Sequence, residues 1–515
     1  MYMKMSDAVS GFDINFSRMQ IDAADLEKLH DMCRAAMAEM ALLEAGKIKN
    51  PDENRKVTHF TDRAAYRNSE LFREVEEFAD AVRSGAITGG TGKRFEAVVL
   101  NGIGGSALGP QLLQFAINGP YWNEKSCEQR NGSLKIYFLD NTDSAGIKDL
   151  MEVIDLESTL QLCISKSGGT QETLNNLNAL INIYTARGLN YGDYACAVTM
   201  PGSLLDNQAR SQGFLKVFPM SDSIGGRTSE TSVVGHVPAA LTGIDFRKLL
   251  DGACRMDEWT RNNDIMNNPA LMLAAMWYLA GNGKGDRNMI IEPCSDRLAM
   301  LARYLQQLVM ESLGKEQDLD GNVVNQGLNV FGNKCDTDAH AFIQQLHDGR
   351  DDFFITFIEV MRDAENIPLN DQLSMGDYLH SFMRGLAVTI DRKKRMAITM
   401  EISSVSPFNI GMIIALYERA VAIYAEFIHV NAFNQPGVQA YKLAAKDMLK
   451  IKEKLFSVLP RPVSGSVEEL AAIAGFDDMQ YAVAGWLNRA AANPERFNVE
   501  RKYSAEKEDY IYYLK

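Results

Sequence analysis

The sequence runs to 515 residues, too long for one hydrophobic core, so two or more domains are expected. Its 46% apolar and 23% charged composition is that of an ordinary globular chain, and no uninterrupted apolar run reaches the roughly 18 residues of a membrane span. A net charge of −14 and a pI near 5.1 exclude a general nucleic-acid binder, because the long-range field repels phosphate backbones; any phosphate site must be a small pocket of local positive charge.

The start, Met1-Tyr2-Met3-Lys4-Met5-Ser6-Asp7, turns polar before any signal-like apolar core develops. Residues 20–84 carry Leu26, Leu29, Met32, Ala36 and Met40 at helical spacing, and 1–94 is expected to be a helical segment. Gly89-Gly90-Thr91-Gly92 makes a boundary. Gly92-Lys93 is not a P-loop, since Arg94 stands where Ser or Thr is needed and the upstream glycine is missing.

From Phe95 the pattern becomes strand, loop, helix. Strands are expected at 97–100, 134–139, 160–164 and 195–199, and such continuous apolar runs predict a parallel sheet covered on both faces. Ligands in such sheets sit at the carboxyl ends of the strands. Two glycine loops fall there: Asn101-Gly102-Ile103-Gly104-Gly105-Ser106-Ala107 and Ser165-Lys166-Ser167-Gly168-Gly169-Thr170-Gln171-Glu172-Thr173. The second precedes a helical stretch, so free N–H groups, hydroxyls and two glycines could cradle a phosphate; a merely well-capped turn is an even alternative. The first fits a dinucleotide fingerprint formally. Its acidic partner should lie about 20 residues on, whereas the next strand ends at Asp140, which leaves NAD as the runner-up ligand.

Further along, Gly225-Gly226-Arg227 sets an arginine on a glycine turn, where it could reach an anion or simply face solvent. After Gly281-Asn282-Gly283-Lys284-Gly285 a second unit begins, with strands expected at 289–292, 353–359 and 396–402. A helix is expected over 296–312, with Leu298, Leu301, Leu305 and Leu308 on one face and Arg303, Gln307 and Glu311 on the other. Spacing alone makes Glu311 a solvated glutamate. His340 opens an apolar helix, the stretch 410–430 reads as a buried helix despite Glu418, Arg419 and Glu426, and Lys442 lies one turn into a helix after Pro436-Gly437. The seven cysteines are scattered without CxxC spacing, so reduced thiols in a cytoplasmic protein are expected, with no metal site and no disulfide framework.

Taken in order, Gly102-x-Gly104-Gly105-Ser106, the Ser165 loop, Gly225-Gly226-Arg227, Gln307, Glu311-Ser312-x-Gly314-Lys315, His340 and Gln435-x-Gly437 to Lys442 resemble the glucose-6-phosphate isomerase family. The resemblance runs from about residue 95 to 450 and implies an α/β fold of two sugar-isomerase (SIS) domains with parallel sheets flanked by helices. The first would span 95–240 and the second 286–450, joined by a helical connector at 241–285 and followed by a helical tail at 451–515. It implies an aldose–ketose isomerase of glycolysis and gluconeogenesis, working without a metal or redox cofactor on glucose 6-phosphate and fructose 6-phosphate through a cis-enediolate. Glu311 matches the base, Arg227 the cation that stabilises the enediolate, and His340 and Lys442 the ring-opening residues. Ser165, Lys166, Ser167 and Thr170 match the phosphate loop. Gly105 and Ser106 lie beside the sugar, and Gln307 and Gln435 match substrate-binding glutamines. A homodimer with His340 supplied by the partner subunit is implied, with neither nucleic acid nor membrane as a partner.

The chain departs from the usual pattern in three places: Thr337-Asp338-Ala339 before His340, Glu230 after Arg227, and Leu313 where Asn is common. A relative that also accepts mannose 6-phosphate, and a non-catalytic sugar-phosphate sensor with the SIS fold, are the alternatives. The sensor would not need Glu311, Arg227, His340 and Lys442 together.

Overall fold

A computed structural model describes residues 3–515 and divides the chain into two units, one ending at Asn434 and the other running from Gln435 to Lys515. The first unit opens on an antiparallel hairpin, β1 (Lys4–Asp7) and β2 (Phe12–Arg18). Phe12, Ile14 and Phe16 are buried at every second position of β2, as a half-covered strand requires. The segment expected to be helical therefore begins as a sheet; its helices, His30–Glu44, His59–Tyr66 and Glu70–Ser84, follow. Ser69 caps the last of these by accepting from Phe72 N at 3.0 Å.

Five parallel strands come next: β3 (Ala97–Asn101), β4 (Lys135–Leu139), β5 (Thr159–Ile164), β6 (Ala195–Thr199) and β7 (Lys216–Pro219). Their order is β4-β3-β5-β6-β7. Strands β3, β5 and β6 are buried along their whole length, which is why they read as unbroken apolar runs. The edge strand β7 is short, ends in a proline and left no such signal. The chain first steps outward from β3 to β4 and then returns to the other side of β3 with β5. This reversal opens a crevice beyond the carboxyl ends of β3 and β5, where both glycine loops emerge.

The second sheet is built from β8 (Asn288–Cys294), β9 (Val330–Phe331), β10 (Phe353–Val360) and β11 (Met396–Ile402), in the order β1-β2-β11-β10-β8-β9. Strands β8 to β11 are parallel, and the hairpin completes the sheet by pairing β2 antiparallel to β11, with Ile14 opposite Met400. Three helices, Phe246–Thr260, Pro269–Ala280 and Pro407–Phe427, form the main core. The last is long and apolar enough to span a membrane by composition, but 94% of its apolar window is buried inside the protein. Its two central charges are paired there: Arg63 binds Glu418 at 2.9 Å and Asp257 at 3.0 Å, and Arg419 binds Asp257 at 3.0 Å and Glu44 at 2.6 Å.

One expectation about cysteine fails. Cys294, at the end of β8, and Cys335 form a disulfide with their Cα atoms 5.0 Å apart, while Cys33, Cys127, Cys163, Cys196 and Cys254 stay free. The pair is 41 residues apart in sequence, and only the folding of Cys335 onto β8 brings it together, so spacing could not reveal it.

The second unit consists of the helix Pro436–Val458, the helices Val467–Ala474 and Gln480–Ala491, and an antiparallel sheet. Strand Asp509–Leu514 lies in the middle of that sheet, between Val463–Gly465 and Val499–Ser504. The tail expected to be helical thus carries three strands around its own small core of Leu455, Leu470, Leu487 and Tyr512.

Candidate active site

Glu311 lies at the end of a helical stretch that changes its winding. Leu301–Leu305 is an α-helix, but Gln306–Glu311 is wound as a π-helix, a form rare enough to mark functional positions. Sequence periodicity assumed one regular helix here and placed Glu311 in solvent. Instead each carboxylate oxygen has a fixed partner: Arg227 Nη1 lies 2.9 Å from Oε1, and Gln307 Nε2 donates to Oε2 at 2.8 Å. The Arg227 side chain is only 6% exposed and that of Glu311 19%, so the pair works in a poorly hydrated setting where charge interactions are strong.

Arg227 is held on the turn Gly226–Thr228, and its Nη2 donates to the Asn434 carbonyl at 2.9 Å. This turn packs backbone to backbone against the first glycine loop. A Cβ on Gly105 would stand 1.9 Å from the Gly226 carbonyl oxygen, and Ser229 Oγ donates to that carbonyl at 2.7 Å. Gly104, at φ +56°, faces the Gln307 amide; a Cβ there would lie 2.9 Å from Nε2. The glycines of this loop therefore serve to bring Gly225–Ser229 and Gln307 close together. That accounts for the dinucleotide-like pattern without a pyrophosphate.

The Ser165 loop leaves β5 and enters the helix Gln171–Ala186. Ser165 Oγ and Ser167 Oγ each accept a backbone N–H inside the loop, from Gly168 and Gly169, both at 3.1 Å. Thr170 occupies the N-cap position, but its hydroxyl does not cap the helix, and the buried Thr173 hydroxyl has no partner among the described residues. The loop is folded by its serines, and among the described residues no side chain caps the start of the helix that follows. Lys166 ties it to the arginine turn by donating to the Ile224 carbonyl at 3.1 Å and to the Asp222 carbonyl.

Sequence reasoning left two residues here without a role. Lys315, recognised only as part of a motif, is buried and donates to the Glu311 carbonyl at 2.7 Å and the Asn434 carbonyl at 3.3 Å. Burial and the neighbouring Arg227 pull its ammonium down to about 7. Glu230 is the other. Far from facing solvent, it is 1% exposed, and burial, with Glu418 nearby, pushes its carboxyl well above the usual range. Leu313, which departs from the usual Asn, is an apolar core residue.

No contact joins His340 to these residues among the described ones. His340 is an exposed C-cap of the short helix Cys335–Ala339. Gln435 and Lys442 belong to the second unit, at the N-cap and in the second turn of Pro436–Val458. Among the described residues no group of three or more His, Cys, Asp and Glu side chains forms a metal ligand set.

The chain has known relatives. The family model described as phosphoglucose isomerase matches residues 15–394. A glucose-6-phosphate isomerase from Nostoc punctiforme is 44% identical over 497 residues, covering 94% of this chain and 92% of the relative. One from Geobacter sulfurreducens is 41% identical over 504 residues, covering 95% and 93%. The crystal structure of a glucose-6-phosphate isomerase from Chlamydia trachomatis superposes with a TM-score of 0.74 at 26% identity, over 86% of this chain and 89% of that one.

Proposed function

We propose a mechanism on the premise that this chain belongs to the phosphoglucose isomerase family and interconverts glucose 6-phosphate and fructose 6-phosphate. Converting an aldose to a ketose moves one proton between C2 and C1 and shifts the carbonyl the other way, an internal redox change that needs no outside electron acceptor. The proton lost from C2 is acidic only because a carbonyl lies beside it, and the charge left behind falls on oxygen.

Glu311 is the base. The observation that carries the assignment is its carboxylate, fixed between Arg227 and Gln307 at 2.9 and 2.8 Å in a half-dry site. It takes the C2 proton and returns it at C1. Arg227, rigid on its glycine turn and permanently charged, stabilises the cis-enediolate oxygen, with Gln307 holding the base in line. Lys315 adds positive potential whenever it is protonated.

The Ser165 loop holds the 6-phosphate through Ser165, Lys166, Ser167 and Thr170, so binding energy gained far from C1 and C2 orients the reacting carbons. Gly105 and Ser106 lie beside the sugar. His340 and Lys442 open the sugar ring, and the exposure of His340 on its own chain supports a homodimer in which it serves the partner subunit's site. Gln435 is carried over as a substrate-binding residue by resemblance alone, as is the ring-opening role of Lys442. The same resemblance is the ground for placing the reaction in glycolysis and gluconeogenesis, in the cytoplasm.

Glu311→Gln removes the base and keeps the shape. With fructose 6-phosphate production followed in a coupled assay, the variant should lose about 10²–10⁴-fold in kcat while keeping its fold, as read by circular dichroism. Near-normal turnover would sink the base assignment.

A further inference from the structure

The helix Cys335–Ala339 presents His340 and packs on the carboxyl end of β8. Three ties fasten it there. Cys335 is bonded to Cys294, Lys334 pairs with Asp296 at 2.6 Å, and Asp338 meets the buried Glu292 of β8, carboxyl to carboxyl. Glu292 is fully buried, and Asp338 is 3% exposed. The Asp338 carboxylate accepts from the backbone N–H groups of Asn333 at 2.6 Å and Lys334 at 3.1 Å, whereas neither Glu292 oxygen meets a donor among the described residues. Two carboxyl groups in contact cannot both be ionised; they share one proton. Glu292, which lacks such donors and is pushed up first of all by burial, is the one that holds the proton.

We infer that Glu292 is a positioning residue for His340: as a neutral acid it donates to Asp338 and locks the short helix that carries the histidine. This rests on the ring-opening role proposed for His340. The lock has a pH limit. Burial, then Asp338 and Asp336, push Glu292 up to about 9. Both aspartates come from the His340 helix. Of the other elements on β8, β9 brings no titratable group, and β10 brings Glu359, already paired with His380 and Arg384. Leu301–Leu305 brings Arg303 and Tyr304, neither of which acts on Glu292. A carboxyl raised on folding gives stability that is full below its unfolded value of about 4 and is lost as pH rises through the folded one. Ionisation then sets two carboxylates against each other and releases the helix.

The test compares the full-length wild type with Glu292→Gln, Glu292→Leu and His340→Ala, in excess dithiothreitol so that the disulfide is open. The Gln amide can donate to Asp338 at any pH. Amide hydrogen-exchange protection over residues 333–342 should fall by about tenfold in the wild type between about pH 7.5 and 9.5, persist in Glu292→Gln, and be lost at both pH values in Glu292→Leu. The alkaline fall in kcat/KM on ring-closed sugar should be weaker in Glu292→Gln than in the wild type. Identical alkaline profiles for wild type and Glu292→Gln, or a protected helix in Glu292→Leu, would overturn the inference. His340→Ala separates the two readings: full turnover in that variant removes the ring-opening role, while the exchange data still judge the carboxyl lock.

Discussion

The Glu230 carboxyl occupies the space that a side chain on Gly109 would need: a Cβ there would stand 2.3 Å from Glu230 Oε2 and 2.9 Å from Glu230 Cβ. Gly235 presses on the same group from the other side, with a Cβ position 2.7 Å from Oε1. The acid three residues beyond Arg227 thus sits in a socket made by two missing side chains.

Gly109→Ala should therefore overpack the socket and lower stability by about 1–3 kcal/mol, read as a lower urea midpoint. Adding Glu230→Ala should recover part of the loss. Glu230→Gln alone should be nearly neutral, because burial already disfavours the charge and neither carboxyl oxygen has a partner to lose among the described residues. An unchanged midpoint for Gly109→Ala would show that the socket yields freely.

Arg227→Lys keeps the charge and discards the planar fork. Arg227 uses Nη1 for Glu311 and Nη2 for the Asn434 carbonyl, two directions that one ammonium on a flexible stem cannot hold together. The expected result is a loss of about 10²–10³-fold in kcat with KM changed far less, as for a lost oxyanion partner. A raised KM with kcat unchanged would assign the arginine to ground-state binding.

Lys315 should leave a signature in both stability and rate. Its folded pKa of about 7 lies below the unfolded value of about 10.4, so its contribution is present at high pH and is lost as pH falls toward 7. Relative to Lys315→Met, the wild type should gain stability between about pH 7 and pH 10, and its kcat/KM should show an inflection near 7 that the variant lacks. Parallel pH curves for the two proteins would contradict a depressed Lys315.

Much of this was legible before any coordinates, but unevenly. The buried strands β3, β5 and β6 announced themselves as apolar runs, and the order of motifs pointed to Arg227 and Glu311. What failed was whatever depends on geometry that sequence spacing does not encode. The π-wound turn moved Glu311 out of its expected solvent position, and the fold of residue 335 onto β8 made a disulfide. Glu230 could not be placed from the sequence because the two glycines that house it lie 121 positions before it and five after. The hairpin β1–β2 was overlooked because four- and seven-residue strands give too short an alternation to stand out from neighbouring helices.

That hairpin also dictates an order of assembly. Every strand of the first sheet lies between residues 97 and 219, so that sheet can close while the ribosome is still at work. The second sheet has no such freedom. Ile14 must wait for Met400, and the amino-terminal strands stay without their partner until almost four-fifths of the chain has been made. During that interval Phe12, Ile14 and Phe16 form an uncovered apolar edge on the nascent chain.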